Sequence, residues 1–138
     1  MTNSENKDYR LDDIIQQSKS SNVFVRLDAL PRLAERLDNQ DVRRRVEEML
    51  GDDVVTVEVD AADILVRQGG EAGLLAVLTE MGRRTDDPDV DYIANRLYEM
   101  DAGGELPVLT MAAAIDSEKM TSNARIGLEN LRQLRGLQ

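Results

Sequence analysis

Apolar residues recur at helical spacing along nearly the whole chain. Leu11, Ile14 and Ile15 mark a first helix over roughly 8–19. Val25, Ala29, Leu30, Leu33 and Leu37 form a second stripe. Val42, Val46, Met49 and Leu50 make a third, and Val57, Ala61, Ile64 and Leu65 a fourth. Leu74, Leu75, Leu78 and Met81 carry a fifth helix; Ile93, Ala94, Leu97 and Met100 carry a sixth. Leu106, Leu109, Ala112, Ala113 and Ile115 predict a seventh, and Ile126, Leu128, Leu131 and Leu134 an eighth.

Punctuation between the stripes agrees with them. Ser20-Ser21-Asn22 offers a turn and an N-cap. Gly51-Asp52-Asp53 closes the third stripe, while Gly69-Gly70 and Gly103-Gly104 read as C-caps of the fourth and sixth. Asp86-Asp87-Pro88 predicts an N-cap at Asp87 with proline in the first helical position and further acids favoured by the helix dipole. Residues 1–7 are polar and uncapped, a frayed tail ahead of one folded domain over 8–138. Two segments argue against the helical pattern. Val54-Val55-Thr56-Val57-Glu58-Val59 has β propensity and strand-like alternation, yet its register opposite clearly helical segments predicts helix. Pro31 falls inside the second helix, where it should kink or break it near Ala29-Leu30.

The stripes repeat. Val25-Arg26-Leu27-Asp28-Ala29 aligns with Val57-Glu58-Val59-Asp60-Ala61, with Val90-Asp91-Tyr92-Ile93-Ala94, and loosely with Ala124-Arg125-Ile126-Gly127-Leu128; the steps are 32, 33 and 34 residues. Gly69-Gly70-Glu71 returns as Gly103-Gly104-Glu105, 34 residues on. Such a period belongs to helical solenoids, whose units bury their apolar faces only by stacking. An aspartate turn followed by a helix that turns Val, Ala and Leu inward resembles HEAT-like repeats, with Asp52-Asp53 before Val57–Leu65 and Asp86-Asp87-Pro88 before Val90–Leu97 as the best copies. The resemblance covers roughly residues 8–136. It implies an all-α fold: a short right-handed α-solenoid of about four helical hairpins. The family's arginine after valine stands here as Arg26 and, in the weak fourth copy, Arg125, but is replaced by Glu58 and Asp91 in the middle copies. The resemblance pairs that arginine with neighbouring aspartates, so the replacements put an Asp–Arg ladder in doubt. They also place Glu58, Asp60, Asp63 and Asp91 on second helices, which line the concave face of such solenoids. The readings are an acidic groove for a cationic partner or an ordinary solvated helix face.

Composition narrows the functions. Apolar residues at 41% and charged residues at 32% describe a folded chain, and no stretch reaches the roughly 20 apolar residues that span a bilayer. The N-terminus lacks the basic flank and apolar segment of a secretory signal, and with zero cysteines the expectation is a cytoplasmic protein. Zero histidines exclude His-dependent triads and Cys/His zinc sites. Lys+Arg of 17 against Asp+Glu of 27 gives a net charge of −10. A phosphate backbone repels such a chain, so neither nucleic acid nor an anionic membrane is expected as a direct partner. A basic protein is.

No catalytic residue, cofactor or metal site is expected. Asp87, Asp89 and Asp91 occupy the first positions of a calcium loop, but Tyr92 stands where glycine is needed and Tyr98 where glutamate is. Paired carboxylates without an aromatic-floored cleft make a poor glycosidase, the aromatics being only Tyr9, Phe24, Tyr92 and Tyr98. The double glycines lack the residues of a phosphate-binding loop. Met49, Met81 and Met111 read as core filler. Phe24 and Tyr92, in the first turns of second helices, are either interface anchors or gap fillers between hairpins. The expected partner surface is Phe24, Asp28, Glu58, Asp60, Asp63, Asp91, Tyr92 and Asn95. A small, acidic, histidine-free binder of this kind resembles bacterial immunity proteins, which implies a non-enzymatic inhibitor masking the active site of a basic toxin such as a nuclease. The alternative is a scaffold or assembly adaptor within a larger complex.

Overall fold

The computed structural model describes residues 3–136, with side chains from Arg10 onward. The described residues form eight α-helices and no strand: α1 (Asn3–Gln17), α2 (Val23–Ala34), α3 (Gln40–Met49), α4 (Val55–Gln68), α5 (Gly70–Arg83), α6 (Asp89–Ala102), α7 (Val108–Ala113) and α8 (Ser122–Leu134). The all-α fold and the helix order follow the apolar stripes. α1 starts at Asn3, ahead of the expected start at 8, so most of the expected tail is helical; residues 1 and 2 lie outside the described residues. The chain groups into two compact units, one reaching to Ala61 and one starting at Ala62.

In the first unit, α1, α2 and α3 pack against one another. Leu30, Leu33, Val42, Val46 and Met49 are at most 1% exposed, each such side chain adding about 1.5–3 kcal/mol over its exposed state. Asn22 and Asn39 cap α2 and α3, their side-chain oxygens accepting the N–H groups of Phe24 (2.9 Å) and Asp41 (2.9 Å). α2 runs unbroken through Pro31. The proline lies on the solvent side, where water can satisfy the carbonyl it leaves without a partner, while neighbouring Leu30 and Leu33 hold the helix to the core. The valine-rich segment is helical from Val55. Its start is fixed by Asp52, whose Oδ1 accepts the Val54 N–H at 2.9 Å, and Val57 and Ala61, one turn apart, are both fully buried. Tertiary burial and a cap outweigh β propensity here.

Arg26 ties this unit's loops together. Its Nε and Nη2 donate to the two carboxylate oxygens of Asp52 at 3.1 and 3.0 Å, Nη2 also reaches Asp53 at 3.1 Å, and Nη1 donates to the Ser20 carbonyl at 3.0 Å. This is a bidentate, nearly buried pair of the kind Arg makes best. Arg45 of α3 acts likewise on the end of α1, donating to Ser18 Oγ and to its carbonyl, both at 2.8 Å.

In the second unit the closest helix pair is α5 with α8, where consecutive hairpins were expected to supply the main contacts. A Cβ at Gly82 would overlap the Asn123 carbonyl oxygen, and one at Gly127 would overlap that of Leu78. The two contacts show that the helices run antiparallel with their backbones touching. Gly73 meets the Leu65 backbone of the preceding helix in the same manner. Leu74, Leu78, Met81, Ile93, Leu97, Met100 and Leu131 complete the core. Met81 and, in the first unit, Met49 are buried as core filler; Met111 is half-buried. The paired glycines end their helices as expected, with Gly70 (φ 65°) and Gly104 (φ 74°) both left-handed.

Candidate partner-binding cleft

Four even-numbered helices start in the same way, and this places the residues of interest. Asn22, Asp52, Asp87 and Thr121 each accept a backbone N–H two or three residues on, at Phe24, Val54, Asp89 and Ala124. Asp87 supplies the side-chain acceptor at the start of α6, but Pro88, expected in the first helical position, occupies the N-cap and the helix begins at Asp89. Arg84 secures the turn, its Nη2 donating to Asp87 Oδ2 at 2.8 Å and its Nη1 to Glu80 Oε2 at 2.9 Å. The guanidinium of Arg84 and the Asp89 N–H together hold the Asp87 carboxyl below the usual carboxylate range.

From this start α6 presents Asp91, Tyr92 and Asn95 to solvent while Val90, Ile93 and Ala94 face inward. Asp91 and Asn95, one turn apart, line a cleft of about 610 Å³ closed on its other side by Asn130, Gln133 and Leu134 of α8. Val90, Ala94 and Leu134 give it apolar wall, with Met81 buried behind them, and no lining residue is basic. Tyr92, next to Asp91 in the chain but not among the lining residues, is 59% exposed; Leu134, which lines the cleft, is 43% exposed. At the far end α8 is fastened to α6, with Arg135 Nε donating to Asp101 Oδ2 at 2.8 Å and the guanidinium lying 5.8 Å from the centroid of the Tyr98 ring. Asp101 Oδ1 also accepts the Leu109 N–H at 3.2 Å. These contacts tie α8 to α6, and three of the polar residues lining the cleft are amides.

The other expected partner-binding residues fare differently. Glu58 has no exposed surface, so it cannot present its carboxylate to a partner: α4 turns that position into the core beside Val57 and Ala61. Asp60 is half-buried on the same helix. Asp63 accepts hydrogen bonds from Arg67 Nε and Arg96 Nη1, both at 2.8 Å, and Arg67 Nη2 also reaches Glu105 at 2.8 Å. Two guanidiniums and two carboxylates compensate one another there. The hydrogen bonds that Arg67 donates to Glu105 and Asp63 push its pKa further up. A continuous acidic groove along the second helices is therefore not what the side chains build. Phe24 (72% exposed) and Asp28 stand one turn apart on the outer face of α2, in the first unit. Neither aromatic fills a gap between helices.

The α8 side of the cleft escaped sequence reading. Asn130 and Gln133 carry no signature of their own, but Ile126, Asn130 and Leu134 recur every fourth residue, and Ile126 and Leu134 are each 43% exposed. Among the described residues no group of acidic side chains is arranged to hold a metal ion, and no helix is long and apolar enough to cross a membrane. No family model, curated protein or solved structure matches this chain.

Proposed function

We propose that this chain is a non-enzymatic protein-binding module that engages a basic partner through the α6–α8 face of its second unit. The observation carrying this reading is that α6 exposes a tyrosine, Tyr92, next in the chain to Asp91, the one charged residue lining the α6–α8 cleft. Large aromatics flanked by polar groups are the usual anchors of protein interfaces, since they bury much area for little lost rotamer freedom. The net charge of −10 favours a basic partner by steering its approach. The specific form of this reading is an immunity protein that masks the active site of a basic toxin. The recurring aspartate and asparagine caps support a HEAT-like repeat ancestry for the helices that carry the surface.

A second reading has its own observation. Phe24, with Asp28 one turn on, gives the first unit a separate exposed aromatic surface. Two units each offering an anchor suit an adaptor that holds two subunits of a complex.

Affinity capture with the wild-type chain, Tyr92→Ala and Phe24→Ala, washed at low and high salt, tests the choice. One stoichiometric basic protein, lost with Tyr92→Ala and released by salt, supports the inhibitor. Two proteins, each lost with a different variant, support the adaptor. Capture unaffected by Tyr92→Ala contradicts the α6–α8 face.

A further inference from the structure

We infer that the α6–α8 cleft is a receptor for a guanidinium group, an arginine side chain presented by the basic partner; this rests on the protein-binding reading above. An arginine has an aliphatic stem and a planar head with five N–H donors and no acceptor. The cleft offers what each part needs. Leu134, with the edges of Val90 and Ala94, supplies apolar wall for the stem, and Asp91, Asn95, Asn130 and Gln133 supply a carboxylate and three amide oxygens for the head. These acceptors come from both helices, so they are spread across the cleft. A fork of donors can reach several of them at once, whereas the ammonium of lysine is a point charge. No basic residue lines the cleft to compete for Asp91.

The chain already shows the same chemistry at the matching repeat position. In the first copy that position is Arg26, whose guanidinium lies against the Asp52 carboxylate in bidentate fashion and also takes a backbone carbonyl. In the second copy it is the buried Glu58. In the third it is Asp91, with inverted charge and solvent in front of it. The fold thus satisfies its own arginine internally in the first unit and leaves an acid facing an open cleft in the second.

Titration of the isotope-labelled full chain with N-acetyl-arginine methylamide, followed by the side-chain amide signals in NMR, tests this. The expected result is a saturable shift of the Asn95, Asn130 and Gln133 amide signals with millimolar affinity. The norleucine analogue, which keeps the stem and lacks the guanidinium, should bind at least about tenfold more weakly. Asp91→Asn should weaken the arginine derivative by about the same factor, and Asp86→Asn, an equal charge change outside the cleft, should leave it unchanged. Melting followed by circular dichroism establishes that both variants are folded. Equal shifts from the two derivatives, equal weakening by the two variants, or no shift of these amides up to the solubility limit would overturn the inference. Any of those results alongside partner capture that still depends on Tyr92 would leave the binding module standing. Saturable guanidinium binding with no protein captured would sink the module reading while the cleft chemistry held.

Discussion

The backbone of Gly127 in α8 lies directly against the carbonyl oxygen of Leu78 in α5, leaving no room for a side chain. The same holds in reverse between Gly82 and Asn123, so each helix lends the other a glycine. Such approach allows weak Cα–H···O contacts between the backbones. It also fixes α8, and with it the Asn130, Gln133 and Leu134 wall of the cleft.

Gly82→Ala and Gly127→Ala should therefore each destabilise the protein by at least about 1 kcal/mol, the lower end of the overpacking range. In a solvent-exposed helix the same change would stabilise by about 1 kcal/mol through helix propensity. The sign is the test. Urea unfolding of the two variants measures it, and a stabilised variant would show that the helices are not in contact.

Asp52 gives the first unit an acid-sensitive staple. Burial by itself would raise its pKa, but hydrogen bonds from Arg26 and the Val54 N–H outweigh burial and hold it below the usual aspartate value. A carboxyl lowered in the folded state stabilises fully above its unfolded pKa of about 3.9, and that stability is lost as pH falls through the folded value. Wild type should lose more stability than Asp52→Asn on acidification below about pH 5. Arg26→Gln, which strands a nearly buried carboxylate, should cost about 3–5 kcal/mol at neutral pH. Denaturant titrations across pH check both.

Glu58 and Asp91 each follow a valine near the start of a helix, but in opposite surroundings, one buried and one exposed. Glu58→Lys should destabilise by more than about 3 kcal/mol, because it puts a longer, cationic side chain at a site with no exposed surface. Asp91→Lys, at an exposed site in the first turn of α6, should cost no more than about 1 kcal/mol, the usual helix-dipole contribution. Thermal melts separate the two. A charge reversal of all the second-helix acids together would thus report unfolding rather than binding.

Much of the fold was legible because amphipathic spacing and caps are local signals. The stripes from Leu11 to Leu134 place all eight helices, and Asn22 and Asp87 act as the polar starts their sequence neighbourhood indicates, while Asp52, read as closing the third stripe, also starts the fourth. What escaped is long-range. Nothing near Gly82 or Gly127 announces that they meet each other's helices, since a mid-helix glycine reads only as a weak helix former. The acidic groove failed for the same reason. Charge at Glu58 and Asp63 is visible in the sequence, but burial of one and the Arg67 and Arg96 partners of the other depend on how α4 and its neighbours pack. Asp91, Tyr92 and Asn95 were legible as exposed candidates, whereas Asn130 and Gln133 join them only through the tertiary fold.

Tyr92→Ala should leave stability within about 0.5 kcal/mol, as expected for an exposed side chain, while weakening partner binding at least tenfold if Tyr92 is an anchor worth about 1.4 kcal/mol or more. Isothermal titration of the captured partner with both proteins measures the second quantity. Equal affinities would remove Tyr92 from the interface.

The most direct measurement is hydrogen–deuterium exchange of the chain with and without its captured partner. Protection concentrated in α6 and the C-terminal turns of α8, with the α2 face unchanged, is the expected footprint of a module that binds through the α6–α8 cleft. Protection confined to α2 around Phe24 and Asp28, with α6 and α8 exchanging as in the free chain, would contradict it.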